Sequence, residues 1–106
     1  MICLYEMKEY PGYFLTRGGR VFAKRRYKRG IFLKPFMTNV GYKFINVYKN
    51  DQKCISKAIH RLMALNFLPN PEKKETVNHK NGKYTDNRLS NLEWATYGEN
   101  VWHAWN

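Results

Sequence analysis

The first half of the chain reads as short segments of alternating apolar and polar residues broken by turn formers. Tyr13-Phe14-Leu15-Thr16, the interruption Arg17-Gly18-Gly19, and Arg20-Val21-Phe22-Ala23-Lys24 predict a tight hairpin, with glycine supplying the positive-φ positions. Residues 1–12 are read as a lead-in ending at Pro11-Gly12. Ile31 to Lys34, just before Pro35, predicts an edge strand, because proline cannot donate to a ladder. Tyr42 to Tyr48, opened by Asn39-Val40-Gly41, is the most persuasive strand, and Asn50-Asp51 turns it into a partner around Lys53 to Ile55. The period then lengthens. Ile59, Leu62, Met63 and Phe67 form an apolar stripe at helical spacing, which predicts a helix from Lys57 to about Phe67, N-capped by Ser56 and stopped before Pro69-Asn70-Pro71. Near the end, Thr96-Tyr97-Gly98-Glu99 fits a capping box that would start a helix running through Trp102 and Trp105. The expected class is α+β, with a small antiparallel β-rich half leading.

Charge changes this picture more than length does. The 106 residues suit one domain. Nineteen Lys plus Arg against eight Asp plus Glu leave a formal charge of +11, which implies a polyanionic partner. The stretch from Tyr10 to Asn50 contains no acidic residue, yet it holds Arg17, Arg20, Lys24, Arg25, Arg26, Lys28 and Arg29. This is the electrostatic footprint expected against a phosphate backbone, and the alternative is a solvated basic meander with an aromatic core. Cys3 and Cys54 lack paired metal-site spacing and are read as reduced thiols. Burial as a small hydrophobe is the commoner fate of a cysteine such as Cys54, with a mixed zinc site of Cys54 and His60 as the alternative. No apolar run approaches membrane-spanning length, so a soluble, unexported, cytoplasmic protein is expected.

The candidate chemistry lies in Val77-Asn78-His79-Lys80-Asn81-Gly82, continuing through Asp86-Asn87-Arg88-Leu89-Ser90-Asn91-Leu92-Glu93-Trp94 to Glu99-Asn100. Asn91 follows His79 by twelve positions and Asn100 by twenty-one. From His60-Arg61-Leu62 to Asn100 this spacing resembles the HNH endonucleases of the small phage and intron-encoded, homing type. The order Pro-Gly-Tyr, Gly-Arg-Val, Leu-Lys-Pro and Gly-Tyr in the N-terminal half is similar to the β-rich DNA-binding module found before such domains. The resemblance implies a basic DNA-binding region over 1–56 and a ββα-metal nuclease domain over 57–106. Asn78 and His79 would lie on its first strand, the Asn-Leu-Glu-Trp box would lead into the second, and Asn100 would lie on the helix.

By the same resemblance His79 is the general base, Asn78 and Asn100 are the metal ligands and Asn91 cross-braces the loop. A histidine with a pKa of about 6.5 is largely neutral above pH 7 and can take a proton from water attacking a phosphodiester. One divalent cation, Mg²⁺ or Mn²⁺, would neutralise the charge that develops on the phosphoryl group. Relatives often carry aspartate where this chain has Asn78, so the cation would lean on DNA phosphate. Lys80, Lys83, Arg88 and His103 are read as phosphate contacts, His60 as a structural hydrogen-bonding residue, and Asn87 as a loop former. The partner implied is double-stranded DNA, cut or nicked by a monomer, with a dimer left open. The rival readings are a catalytically weak or inactive DNA-binding protein with an HNH fold, and a basic RNA-binding protein.

Overall fold

A computed structural model describes residues 2–24, 29–49 and 53–99. It is an α+β arrangement of two antiparallel sheets, one helix and a terminal hairpin. The first sheet is built from β1 (Tyr5–Glu6), β2 (Tyr13–Leu15), β3 (Val21–Ala23) and β4 (Ile31–Phe32), in that order, so β4 is an edge strand as its proline neighbour predicts. The hairpin of β2 and β3 pairs Tyr13 with Ala23 and Leu15 with Val21. These four residues are buried, while Phe14 and Phe22 meet edge to face on the other side. The lead-in is not unstructured, because Tyr5 and Glu6 add a strand against Leu15 and Phe14.

The second sheet places β6 (Lys43–Lys49) between β5 (Phe36–Met37) and β7 (Lys53–Ala58). Ile45 and Val47 point inward from β6, at 1% and 0% exposure. The helix α1 spans Ile59–Phe67, two residues later than a Ser56 cap would give. The reason lies in the neighbouring ladder. Lys57 and Ala58 are paired with Ile45 and Phe44, and the Ser56 hydroxyl donates to Asn46 Oδ1 at 2.7 Å instead of to a helix amide. The division at 56/57 therefore falls inside β7. Ile59, Leu62, Met63 and Ala64 are the buried face of α1. Cys3 and Cys54 are both exposed, which corrects the expectation of burial for Cys54, and the described residues contain no cluster of three His, Cys, Asp or Glu that could hold a metal ion.

The third unit is the hairpin of β8 (Thr76–His79) and β9 (Leu92–Ala95), with a short 3-10 turn at Leu89–Asn91. Its core residues, Val77 and Leu92, join one hydrophobic cluster with Met7, Tyr13, Leu15, Ile45 and Leu62. Trp94 packs on the edge of that cluster and its indole N–H donates to Leu68 O at 3.0 Å. Thr96 and Glu99 exchange the two bonds of a capping box, at 3.1 and 3.2 Å. The helical turn they open is described through Glu99, and Asn100 and His103 lie outside the described residues. No helix among the described residues is long and apolar enough to cross a membrane.

Candidate active site

Strand β8 ends at His79, and register decides what surrounds it. His79 lies opposite Leu92, while Asn78 lies opposite Glu93. Successive residues of a strand face opposite sides of the hairpin. His79 accordingly turns toward the core, at 4% exposure, and Asn78 stays half-buried beside Glu93.

The loop after His79 is closed by Asn91. Its side chain accepts from Asn81 N at 3.0 Å and donates to Asn81 Oδ1 at 3.0 Å and to Asp86 O at 2.8 Å. Its backbone carbonyl accepts from Lys80 N at 2.8 Å. Asn91 is 6% exposed, so these bonds are sheltered from water. Asn81 in turn makes an Asx turn, accepting from Lys83 N at 2.9 Å, and Gly82 takes φ +74°. The loop is thus held in one shape by side-chain amides.

Asn87, a loop former by its sequence neighbours, is buried at 4% exposure, and its Oδ1 lies 2.8 Å from His79 Nε2. An amide oxygen in that position accepts the Nε2 proton, so the lone pair of a neutral ring falls on Nδ1. No local pattern distinguishes Asn87 from any other turn asparagine. Only its distance from His79 in space does.

The wall behind the imidazole is aromatic. The Tyr42 ring stacks on His60, centroids 4.9 Å apart at 26°, and on Tyr84, 4.6 Å apart at 17°. His79 lies 5.1 Å from His60, 5.9 Å from Tyr84 and 6.0 Å from Tyr42. Burial, and after it the neighbouring His79 and Arg61, push the His60 pKa down to about 4. His60 therefore does not fill the hydrogen-bonding role expected of it: its Nδ1 is buried with no partner among the described residues, and its contacts are stacking ones. Burial, with Tyr84 second, raises the Tyr42 pKa. Neither ring of this wall is charged near neutral pH.

Asn78 donates through Nδ2 to Glu93 Oε1 at 3.0 Å. That bond orients the amide and leaves Oδ1 as its free acceptor, next to a carboxylate to which the sequence pattern assigns no role. The cations near the loop are less uniform than a basic patch suggests. Lys80 and Lys83 are exposed, but Arg88 forms a two-point pair with Asp86, at 2.8 Å from Nε and 2.7 Å from Nη2. That pair holds the Asp86 carboxyl well below the usual carboxylate range and occupies the guanidinium expected on a phosphate.

In the N-terminal half Arg20 lies 3.7 Å over the Phe32 ring and Arg17 lies 5.6 Å over Tyr5. Both are exposed, as are Lys24 and Arg29, whereas Arg25, Arg26 and Lys28 lie outside the described residues. A guanidinium laid over a ring keeps its charge while losing some of its freedom. The structure thus brings His79, Asn87 and Asn91 together and sets Asn78 with Glu93.

Residues 57–101 match the HNH endonuclease family. The uncharacterized HNH endonuclease L245 of Acanthamoeba polyphaga mimivirus is 39% identical over 92 residues, covering 86% of this chain and 26% of its own. The DNA endonuclease I-HmuI of Bacillus phage SP01 is 32% identical over 97 residues, 91% of this chain and 53% of its own. A solved structure showing DNA binding and cleavage by the HNH homing endonuclease I-HmuI superposes with a TM-score of 0.84 and 31% identity, over 97% of this chain and 57% of that one. The chain thus spans about a quarter of the viral relative and just over half of the phage one.

Proposed function

Because this chain belongs to the HNH endonuclease family through residues 57–101, we propose that it is a metal-dependent endonuclease that hydrolyses a phosphodiester bond of double-stranded DNA. The observation that carries the reading is the buried 2.8 Å contact between His79 Nε2 and Asn87 Oδ1, which leaves Nδ1 as the nitrogen able to accept a proton. In the step assigned to this chain, a water oxygen bonds to phosphorus, the P–O3′ bond breaks, and the water proton passes to His79 Nδ1. The 3′ oxygen takes its proton from solvent, giving 5′-phosphate and 3′-hydroxyl ends. The amide of Asn87 keeps its bond to Nε2–H throughout and stabilises the imidazolium without receiving the proton.

The donor set near His79 fits a hard divalent cation. Asn78 offers an oriented amide oxygen, Glu93 adds negative charge beside it, and DNA would contribute phosphate oxygens. Asn100, the second ligand assigned by the family pattern, is the first residue past the capping box formed by Thr96 and Glu99. When bound, such an ion neutralises charge on the phosphoryl group and on the leaving oxygen. The exposed Arg17, Arg20, Lys24 and Arg29 would hold the duplex by its phosphates, which gives affinity and register with little base readout. One such site per monomer cuts one strand per binding event.

The test is relaxation of supercoiled plasmid by the purified protein with Mg²⁺ or Mn²⁺, compared with EDTA and with His79→Ala. Relaxation that needs the metal and disappears in the variant is the expected result. Plasmid binding without relaxation, alike in both proteins, would replace this reading with that of a DNA-binding protein on an inactive HNH fold.

A further inference from the structure

The turn of the first hairpin reaches the loop that serves His79. Between β2 and β3, Thr16 N donates to Arg20 O at 3.0 Å, Gly19 N to Thr16 O at 3.1 Å, and Arg20 N to Thr16 Oγ1 at 3.1 Å. Gly19 takes φ +88°, and a Cβ built on it would lie 2.6 Å from Asn87 O and 2.8 Å from both Asn87 C and Asn87 Cβ. Backbone cannot yield at that distance, so the turn lies hard against Asn87. Two residues on, Leu89 N donates to Arg17 O at 2.8 Å and ties the same two segments together. Among the described residues the Asn87 Nδ2 has no hydrogen-bond partner. What fixes the surroundings of Asn87 is therefore its bond to His79 and the close approach of Gly19 to its backbone.

We propose that Asn87 is the positioning residue for His79, fixing the tautomer and aim of the imidazole, and that the glycine turn of the N-terminal hairpin is the buttress that holds Asn87 in place. The inference rests on the reading of His79 as the base. Its consequence is that the catalytic imidazole depends on a segment outside residues 57–101, so the basic half contributes to the chemical step as well as to DNA binding. An amide oxygen suits this role, because it can only accept and so keeps the ring proton on Nε2.

The experiment uses the full chain, with Asn87→Ala, Asn87→Asp, Gly19→Ala and His79→Ala beside the wild type. Three quantities are measured: single-turnover nicking rate against pH, DNA affinity without metal, and the imidazole tautomer by ¹⁵N NMR. Asn87→Ala is expected to slow nicking about 10- to 100-fold, a part of the roughly 10²- to 10⁴-fold that a general base contributes, with DNA affinity unchanged within about twofold. The His79 signal should move from the Nε2–H form to a mixture of tautomers. Asn87→Asp should restore the Nε2–H form and part of the lost rate, an effect that loss of packing alone does not produce. Gly19→Ala should show the same tautomer change as Asn87→Ala and part of its rate loss. A wild-type rate in Asn87→Ala, or a slowed rate with an unaltered tautomer, overturns the positioning role. A Gly19→Ala protein that matches wild type in rate and tautomer overturns the buttress. Full cleavage by His79→Ala would instead remove the reading of His79 as the base, which separates the two failures.

Discussion

Acidification from pH 7 to pH 4 should destabilise this fold by protonating His60, and the size of the effect follows from its surroundings. The ring is clamped by Tyr42 at 4.9 Å, faces His79 at 5.1 Å and is followed in sequence by Arg61. Its pKa falls from 6.5 to about 4 on folding, chiefly through burial and then through the neighbouring His79 and Arg61. The folded state therefore binds fewer protons than the unfolded chain between those values. The His60 contribution is complete above about pH 6.5, declines as the pH falls, and levels off below about pH 4, where the carboxylates take over. At about 1.4 kcal/mol per pH unit, the interval is worth about 3 kcal/mol, a large part of the roughly 5–15 kcal/mol that holds a small domain. Asp86 and Glu99, whose carboxyls are both held low by basic partners, add a loss of the same sign as each regains its proton. The contribution of His60 is isolated by comparison with His60→Phe, which keeps a ring against Tyr42 but cannot take up charge. Urea unfolding of both proteins at pH 7, 6, 5 and 4 should give a stability difference that closes as the pH falls and then reverses. Parallel curves across this range would refute the assignment.

Three further outcomes are expected. Asn91→Ala removes three sheltered hydrogen bonds from the loop and should cost about 2 to 4 kcal/mol, read as a fall of roughly 10 to 20 °C in Tm. Arg20→Ala should lower the slope of log affinity for DNA against log salt by about 0.9, the share of one neutralised phosphate, whereas Arg88→Ala should leave the slope unchanged because Asp86 already binds that guanidinium. Asn78→Asp puts a second carboxylate beside Glu93 and should reduce the Mg²⁺ concentration for half-maximal nicking, while lowering Tm without metal through repulsion and removal of the 3.0 Å donor bond.

The legible parts of this chain are those where side-chain period and backbone pattern coincide. Within the strands Tyr13, Leu15, Val21 and Ala23 alternate with the half-buried Phe14 and Phe22, so the hairpin and its inner face follow from the sequence. The family resemblance holds, and the capping box is present because Thr96 and Glu99 need only each other. What stays hidden depends on partners remote in sequence. The strands Tyr5–Glu6 and Phe36–Met37 are too short to show a period and exist because Phe14, Leu15 and the β6 residues Lys43 and Phe44 present open ladder edges to them. Ser56 has the chemistry of a helix cap, but Asn46 across the ladder claims its hydroxyl. Cys54 departs from the average behaviour of its residue type and lies on an exposed position of β7.

The same dependence on remote partners shapes the site. Residues 57–101 carry the imidazole and its loop, but the residues that immobilise them come in part from elsewhere. Asn66 on α1 accepts from Lys8 N and donates to Glu9 Oε1, each at 3.1 Å. Arg17 O accepts from Leu89 N, and Met7, Tyr13 and Leu15 share one core cluster with Ile59, Val77 and Leu92. A close-packed interior transmits small displacements instead of absorbing them. If the proposed reading holds, phosphates drawn to Arg17 and Arg20 would bear on the turn that touches Asn87, and duplex contact and the aim of the imidazole would then be set by one piece of structure.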